Sequence, residues 1–254
     1  MVWDKSFGSC ESQGAEIKPT DLVQTKQMGS NGTSQPVVRP QGGNLFRSQH
    51  AAVARLQYAI TQEASLSILC GPGGSGVSTV LSALSSTIKH IAHVVQIDLR
   101  TLATFSKIAT YTKSEAPVFV IDNCHLASDG ILASVSEAIW QQSPKASVVL
   151  GGRGRLLTLL ARDRGLLDKV LLRSVLHPFS LAETRAVVQS QLISNGLFCS
   201  ETVAEVIHEV TAGIPGNIFR LIGIAQLVGG GHPGRPIEVA DIEQIHERLY
   251  AAAA

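Results

Sequence analysis

The chain has 254 residues, of which 44% are hydrophobic and 16% are charged, and its formal net charge at pH 7 is +1. This length can hold one large domain or two small ones, and the near-neutral charge gives no general argument for nucleic-acid or acidic partners. The four cysteines are far apart and form no C-x-x-C pair, which favours reduced, buried thiols. The chain contains no run of about 18 apolar residues and no signal-peptide pattern, so we expect a cytoplasmic protein without a transmembrane helix.

Residues 1–44 are polar and rich in Gly, Ser, Gln, Thr and Pro, a composition that predicts a disordered tail. Helical periodicity begins near Ser48 and continues to Ile60. Residues 65–70 form a short apolar run before a glycine turn, which indicates a buried strand, and residues 77–88 carry apolar residues at helical spacing. A strand, a glycine-rich loop and a helix therefore follow one another directly.

Strands and helices continue to alternate as far as about residue 150. The predicted strands lie at 93–99, 117–122 and 146–150, the last ended by Gly151 and Gly152, and the predicted helices lie at 102–111 and 129–142. This alternation predicts a parallel sheet in an α/β layer structure.

After about residue 178 the pattern is entirely helical. Ser180-Leu-Ala-Glu183 is a capping box that opens a helix over 181–194, closed by Asn195-Gly196. Three further helices are predicted over 201–211, from Pro215 to the glycines at 229–231, and over 241–252. The chain is thus predicted to have three regions, which are a disordered tail over 1–44, an α/β core over 45–178 and a small helical domain over 179–254.

The most informative segment is 71–79, which reads Gly-Pro-Gly-Gly-Ser-Gly-Val-Ser-Thr. It has the spacing of a phosphate-binding P-loop, G-x-x-x-x-G-K-[ST], except that Val77 stands where the lysine belongs. Glycines allow backbone N–H groups to surround a phosphate, the start of the following helix adds partial positive charge, and Ser78 stands where a Mg²⁺-binding hydroxyl lies in such loops. The candidate nucleotide-binding residues of the loop are Gly71, Pro72, Gly73, Gly74, Ser75, Gly76, Val77, Ser78 and Thr79. Loss of the lysine charge removes about 1.5–3 kcal/mol, which weakens binding about tenfold to a hundredfold without abolishing it.

Two alternative interpretations use the same glycines. Gly71-x-Gly73-x-x-Gly76 also matches the dinucleotide-binding fingerprint, and Asp98, at the end of the next predicted strand, lies about where a ribose-binding acid would be. The other alternative is a glycine turn that binds nothing. The adjacent Ser78 and Thr79 favour the P-loop.

Five segments carry a resemblance to a known family. They are Ser48-x-His50 before the helix ending at Ala59-Ile60, the P-loop, Val118-Phe-Val-Ile-Asp-Asn-Cys-His-Leu126, His177-Pro-Phe-Ser-Leu-Ala-Glu-Thr184 and Gly213-Ile-Pro-Gly-Asn-Ile218. In this order they resemble the AAA+ ATPases of the ExeA/GspA type, which are linked to secretion and pilus machinery and are related to transposition ATPases such as TniB. The third segment resembles the Walker B strand of that family and the last resembles its lid motif. The likeness covers residues 45–250.

The resemblance implies a P-loop AAA+ core with a parallel sheet flanked by helices, followed by a small all-α lid domain. It implies ATP or ADP with Mg²⁺ as ligand, and it adds Asp122 to the nucleotide-binding residues. Ser78 and Asp122 would be the protein groups that hold Mg²⁺. Lys169 and Arg173 lie near the region of the family's finger arginine, so they are candidates for contacts between subunits.

Three positions depart from the family pattern. Val77 replaces the lysine, and Asn123 stands in place of the glutamate that polarises the attacking water, where an amide cannot take up a proton. Gly216 corresponds to the lid arginine that reaches the γ-phosphate, and Arg220, one helical turn further on, is a candidate substitute. No residue is therefore assigned a catalytic role.

These departures imply a pseudo-ATPase with weak or no ATP hydrolysis, acting as a nucleotide-responsive or structural partner in a secretion, pilus or other AAA+ assembly. Its partners would be further copies of itself or an intact AAA+ paralogue, and it would be cytoplasmic or peripheral to a membrane machine. One alternative is an active AAA+ ATPase. Another is a TniB-like nucleic-acid-associated protein, for which the support is a local cluster of Arg153, Arg155, Arg162 and Arg164. A dinucleotide-binding Rossmann protein ranks last.

Overall fold

The computed structural model describes residues 45–62, 64–101, 117–193, 197–229 and 236–251. The predicted tail over 1–44, the predicted helix over 102–111 and the predicted helix end at Asn195-Gly196 lie outside these ranges. Within the described ranges, no helix is long and apolar enough to cross a membrane.

The described strands form one parallel sheet of five strands. Their bounds are Leu66–Gly71 (β1), Val94–Asp98 (β2), Val118–Asp122 (β3), Ser147–Arg153 (β4) and Val170–Val175 (β5). The strand order is β2-β3-β4-β1-β5, so β1 lies between β4 and β5. Because the strands are parallel, their carboxyl ends meet at one edge of the sheet, and the glycine loop follows β1 at that edge.

Nine α-helices occur in the described ranges. Their bounds are Arg47–Ile60 (α1), Val77–Ile88 (α2), Ile131–Gln142 (α3), Arg155–Arg162 (α4), Arg164–Leu167 (α5), Leu181–Ile193 (α6), Glu201–Thr211 (α7), Pro215–Gly229 (α8) and Val239–Ala251 (α9). A short 3-10 helix, Cys124–Leu126, follows β3.

Alternate residues of β1 to β4 face two hydrophobic layers, as expected for a sheet covered on both sides. In β3, Phe119 and Ile121 pack with side chains of α3 and α4, whereas Val118 and Val120 pack with side chains of α1 and α2. The helical part that begins at Phe179 has its own buried core, formed by residues of α6, α7, α8 and α9. The sheet therefore lies between two helical layers, and a separate helical core follows it in the chain.

The α/β class, the parallel sheet and the helical C-terminal part are confirmed. The predicted bounds of the helices at 77–88 and 201–211 match α2 and α7. Cys70 and Cys124 are buried free thiols, and burial raises the pKa of both.

Two strands differ from the sequence-based expectation. β5 was not predicted, because as an edge strand it is only partly buried and Arg173 interrupts its apolar run. β4 does not end before Gly151 and Gly152 but continues through both of them to Arg153. A Cβ on Gly151 would collide with Leu81, and one on Gly152 would lie 3.0 Å from the backbone nitrogen of His125. These glycines therefore allow close packing inside the strand instead of ending it.

Glu183 connects the beginning of α6 to the beginning of α1. Its Oε1 accepts hydrogen bonds from the backbone N–H and the hydroxyl of Ser48 at 3.2 and 2.9 Å. Its Oε2 accepts from the backbone N–H and the hydroxyl of Ser180 at 3.1 and 3.2 Å, and its own N–H donates to the Ser180 Oγ, so the predicted capping box is confirmed. Burial raises the pKa of Glu183, but the hydrogen bonds from Ser180 and Ser48 outweigh it and hold this pKa below its ordinary value.

We expect Glu183→Gln to lower the free energy of unfolding at pH 7 by about 1.5–3 kcal/mol, the usual net contribution of hydrogen bonds to a charged group. Because the folded-state pKa of Glu183 lies below the ordinary glutamate value of about 4.3, its stabilisation is complete above that value and is lost as the pH falls through the folded-state pKa. The difference in melting temperature between the wild type and the variant should therefore shrink below about pH 4.

Glu205→Gln is the matched control, because Glu205 accepts a hydrogen bond from Arg185 at 2.5 Å in a partly exposed ion pair. A pair of this kind contributes about 0–1 kcal/mol. Two results would contradict the stabilising role of the Glu183 hydrogen bonds. One is an equal loss of unfolding free energy for the two variants at pH 7, and the other is a Glu183→Gln difference in melting temperature that persists at low pH.

Candidate nucleotide-binding site

The glycine loop between β1 and α2 has a backbone shape that requires glycine at two positions. Gly74 has a φ of +86° and Gly76 has a φ of +93°, a left-handed region that residues with a Cβ rarely adopt. The backbone N–H of Ser75 donates to the Pro72 carbonyl at 3.1 Å. The loop therefore turns tightly before α2 begins at Val77.

A cleft of about 290 Å³ opens at this loop. Its lining residues are Pro72, Gly73, Gly74, Ser75, Gly76, Val77, Ser78, Thr79, Asp122, Asn123, His125, Gly152 and Arg153. The structure thus brings the predicted nucleotide-binding residues together in one cleft, apart from Gly71, which ends β1. Ser78 and Asp122, the candidate Mg²⁺ ligands, line the same cleft.

Val77 adds apolar packing to the cleft but no charge. Its side chain is partly buried and belongs to the hydrophobic layer that contains Leu81. A Cβ on Gly151 of β4 would lie 3.3 Å from the Val77 Cγ1. The position of the missing lysine is therefore filled by a side chain that packs against the sheet.

Asn123 makes its side-chain contact outside the loop. It follows β3 with a left-handed φ of +59°, which asparagine tolerates better than most residues. Its backbone N–H donates to the Asp122 Oδ1 at 2.6 Å, and its Nδ2 donates to the Asp98 Oδ1 at 2.9 Å. The side chain thus acts as a hydrogen-bond donor to a carboxylate.

Asp98, at the end of β2, is held as an anion. Hydrogen bonds from the Arg100 guanidinium are the main cause that lowers its pKa to about 2, and the bond from Asn123 adds to them. β3 and β4 lie between β2 and the loop-bearing β1. In a dinucleotide-binding fold the ribose-binding acid ends a strand adjacent to the first, so this strand order argues against that alternative.

His125 and Gln49 belong to the site but were not among the predicted residues. The Nδ1 of His125 is buried and has no hydrogen-bond partner in the described part of the chain. Burial, followed by the charge of Arg153, lowers the pKa of His125, so the imidazole is neutral at neutral pH.

Gln49 is buried in α1. Its Oε1 accepts from the Phe46 N–H at 3.3 Å, and its Nε2 makes a long hydrogen bond of 3.5 Å to the Ser75 carbonyl. In the sequence, His125 could have been found as the histidine of the Walker B-like segment, and Gln49 as the middle residue of Ser48-x-His50.

The helical part contacts the loop through its backbone. The N–H of Gly216, in the first turn of α8, donates to the Gly74 carbonyl at 2.9 Å. A Cβ on Gly216 would lie 3.0 Å from the Gly74 Cα, and a Cβ on Gly74 would lie 3.1 Å from the Ile214 Cγ2. Arg220 does not line the loop cleft but a separate cavity of the helical part, which it shares with His246.

Three of the basic residues singled out in the sequence contact other groups of the same chain. The Nζ of Lys169 lies 4.9 Å from the centre of the Trp140 ring, a cation–π contact, whereas Arg173 is exposed on β5. Arg155 donates to the His125 carbonyl at 3.1 Å and Arg162 pairs with Asp129 at 2.8 Å.

No family model matches this chain, and no significant match was found among curated proteins. Solved structures do match. The RuvB Holliday junction branch migration motor of Thermotoga maritima is 16% identical with a TM-score of 0.61, over 79% of this chain and 68% of that chain. The ORC2 protein of Aeropyrum pernix, in ADPNP and ADP complexes, is 10% identical with a TM-score of 0.62, over 83% of this chain and 70% of that one. The ORC1 protein of the same organism, in complex with DNA, is 12% identical with a TM-score of 0.61, over 82% of this chain and 66% of that one.

These similarities agree with the strand order and the glycine loop in identifying the fold of the chain. The chain has the fold of the P-loop AAA+ ATPases.

Two glycines of α8 allow a direct test of the contact between the loop and the helical part. We expect Gly216→Ala to lower the free energy of unfolding by about 1–3 kcal/mol, because its methyl group overpacks the Gly74 backbone. Gly223→Ala is the control, because a Cβ there meets no atom within 4 Å. It should raise stability by about 0.5–1 kcal/mol through helix propensity alone. Chemical denaturation of both variants measures the difference, and a stabilising Gly216→Ala would rule out the close contact.

Proposed function

We propose that this chain is an AAA+ protein of the ExeA/GspA type, related to TniB, that binds ATP or ADP with Mg²⁺ weakly and hydrolyses ATP slowly or not at all. Its α/β core would cover residues 45–178 and its lid would cover residues 179–254. It would act as a nucleotide-responsive or structural partner, with further copies of itself or with an intact AAA+ paralogue, in the cytoplasm or beside a secretion or pilus machine.

The contact between Asn123 and Asp98 is the observation that carries the proposal for hydrolysis. A general base must accept a proton from the attacking water, which an amide cannot do. The amide also donates to Asp98 at 2.9 Å. A carboxylate reaching the same position would face a second carboxylate at close range, and like charges at that distance oppose ionisation. The surroundings of position 123 therefore favour an amide.

The remaining loop supports weak nucleotide binding. The left-handed Gly74 and Gly76 shape the backbone before α2, and the first N–H groups of a helix, which have no partner within the helix, suit an anion. Ser78 and Asp122 line the same cleft, so they fit the roles of Mg²⁺ ligands beside phosphate oxygens. A bound Mg²⁺ would neutralise part of the phosphate charge. The ADPNP and ADP complexes of the Aeropyrum pernix ORC2 protein support a nucleotide as the ligand class.

The nucleic-acid alternative has less support from the site. The Thermotoga maritima RuvB protein is a Holliday junction motor and the Aeropyrum pernix ORC1 structure contains DNA. In this chain, however, Arg155 and Arg162 already bind protein acceptors. These contacts leave the cluster less suited to phosphate backbone than its sequence indicates.

Hydrolysis is tested with purified protein and Mg²⁺-ATP by phosphate release. We expect turnover well below about 1 s⁻¹, the low end of ordinary enzyme rates. Asn123→Glu alone should not raise it, because Asp98 faces the new carboxylate. Combining Asn123→Glu with Asp98→Asn exchanges donor and acceptor, and we expect at least about tenfold faster turnover, part of the 10²–10⁴ that a positioned base contributes.

Asp98→Asn alone is the control and should leave turnover unchanged. Wild-type turnover of about 1 s⁻¹ or more would contradict the pseudo-ATPase proposal. A rate increase with Asn123→Glu alone would show that Asp98 does not constrain this position.

Assembly is tested by light scattering of the full chain with and without Mg²⁺-ATP. We expect a mass above that of the monomer, and Arg173→Glu should lower it because this exposed cation lies on the outer strand β5. Lys89→Glu makes the same charge reversal at the exposed end of α2 and should leave the mass unchanged. A monomer under every condition would contradict self-assembly.

A further inference from the structure

We propose that Arg153 supplies the positive charge that the glycine loop lacks at Val77, so that the site holds the phosphates of a nucleoside di- or triphosphate with a guanidinium from β4. This inference rests on the proposed nucleotide binding and names the side chain that recognises the phosphates. It differs from an ordinary P-loop, in which the charge comes from the helix that follows the loop.

The position of Arg153 follows from the length of β4. Since β4 continues through Gly151 and Gly152, its last residue is Arg153, which pairs in register with Gly71 at the end of β1. Gly71 is also the first residue of the P-loop motif. The parallel pairing therefore places the arginine backbone beside the start of the loop.

The guanidinium lies over the loop itself. A Cβ on Gly73 would lie 3.4 Å from the Arg153 Cζ, 3.5 Å from its Nε and 3.6 Å from its Nη1. Three nearly equal distances mean that the plane of the guanidinium lies against this glycine. At these distances a Cβ on Gly73 would be in ordinary van der Waals contact with the guanidinium, so this group lies directly over the loop.

The donors of Arg153 are available to a ligand. Across the described residues, the Arg153 side chain makes no hydrogen bond or ion pair, and it is exposed. By contrast, Arg155 and Arg162 of the same cluster each have a protein acceptor. An arginine without a protein partner presents five N–H donors in a fixed planar arrangement.

The charges around the cleft favour the same conclusion. Among its lining residues, which all belong to the described ranges, Asp122 is the one carboxylate and Arg153 is the one side chain with a permanent positive charge. His125 is neutral at neutral pH because burial and Arg153 lower its pKa. Arginine binds phosphate oxygens in pairs through its planar fork, whereas lysine acts as a point charge.

The test is calorimetric titration of the full chain with Mg²⁺-ATP and, separately, with inorganic tripolyphosphate. We expect Arg153→Gln to weaken binding of both probes about tenfold to a hundredfold, and Arg153→Lys to weaken it less. Arg162→Gln removes an equal charge from the same cluster outside the cleft and should leave both affinities unchanged. Melting temperatures of all variants establish that they fold.

Moving the positive charge from position 153 to position 77 makes the test specific. Val77→Lys should recover about tenfold or more of the affinity lost in Arg153→Gln, but should add less to the wild type, which already has a cation at the loop. Equal gains in both backgrounds, or Arg153→Gln binding within about twofold of the wild type, would overturn the role of Arg153 while leaving nucleotide binding intact. Absence of binding by the wild type and by Val77→Lys would instead overturn the proposed nucleotide binding, and the role of Arg153 with it.

Discussion

The close approach of three separate elements to the glycine loop is the constraint on which the site depends. Gly216 of α8 hydrogen-bonds to the Gly74 carbonyl, and the Gln49 amide of α1 lies 2.5 Å from the place of a Cβ on Gly76. The Arg153 guanidinium covers Gly73 from β4. The approaches at Gly216 and Gly76 need a position without a Cβ, because a side chain there would displace backbone or a buried group, whereas a Cβ on Gly73 would be in ordinary contact with the guanidinium. Gly76 is therefore required by packing independently of any phosphate.

The three positions where the resemblance predicts a departure from the ExeA/GspA pattern each have a local partner in the structure. Val77 packs into the layer of Leu81, the Asn123 amide donates to Asp98, and Gly216 meets the Gly74 backbone. Restoring one family residue would leave its partner unsuited to it. An arginine at position 216, for example, would begin with a Cβ 3.0 Å from the Gly74 Cα.

The sequence predicted the elements whose signal lies within the element itself. α2 and α7 have a clear helical period, and the Ser180–Glu183 capping box depends on residues three apart. β5 escaped prediction because its partial burial depends on its place at the sheet edge. The end of β4 was misjudged because glycine can either end a strand or allow a neighbour to pack against it, and only the positions of Leu81 and His125 decide between the two.

The candidate site shows the same difference between features that a local sequence pattern predicts and features that depend on the fold. The loop residues 71–79 could be predicted because spacing along the chain defines them, whereas Asp122 was added by the resemblance of its segment to a Walker B strand. The partners Asp98 and Asn123 are 25 residues apart in the chain, and β2 and β3 bring them together through strand pairing. Gln49 and Arg153 reach the loop from elements on either side of it in the chain. Contacts of this kind depend on strand order and on helix orientation, which local patterns do not determine.

The backbone contact between Gly216 and Gly74 also limits how a ligand could act on the helical part. A lid arginine that touches a terminal phosphate makes lid closure depend directly on that phosphate. Here the helical part touches a loop carbonyl, and both atoms of this hydrogen bond belong to the protein backbone. A ligand can shift a conformational equilibrium only by as much as its affinity differs between the two states. Any response of the helical part to a nucleotide through this contact must therefore pass through the conformation of Gly74, which has a left-handed backbone and precedes Ser75, whose N–H closes the turn to the Pro72 carbonyl.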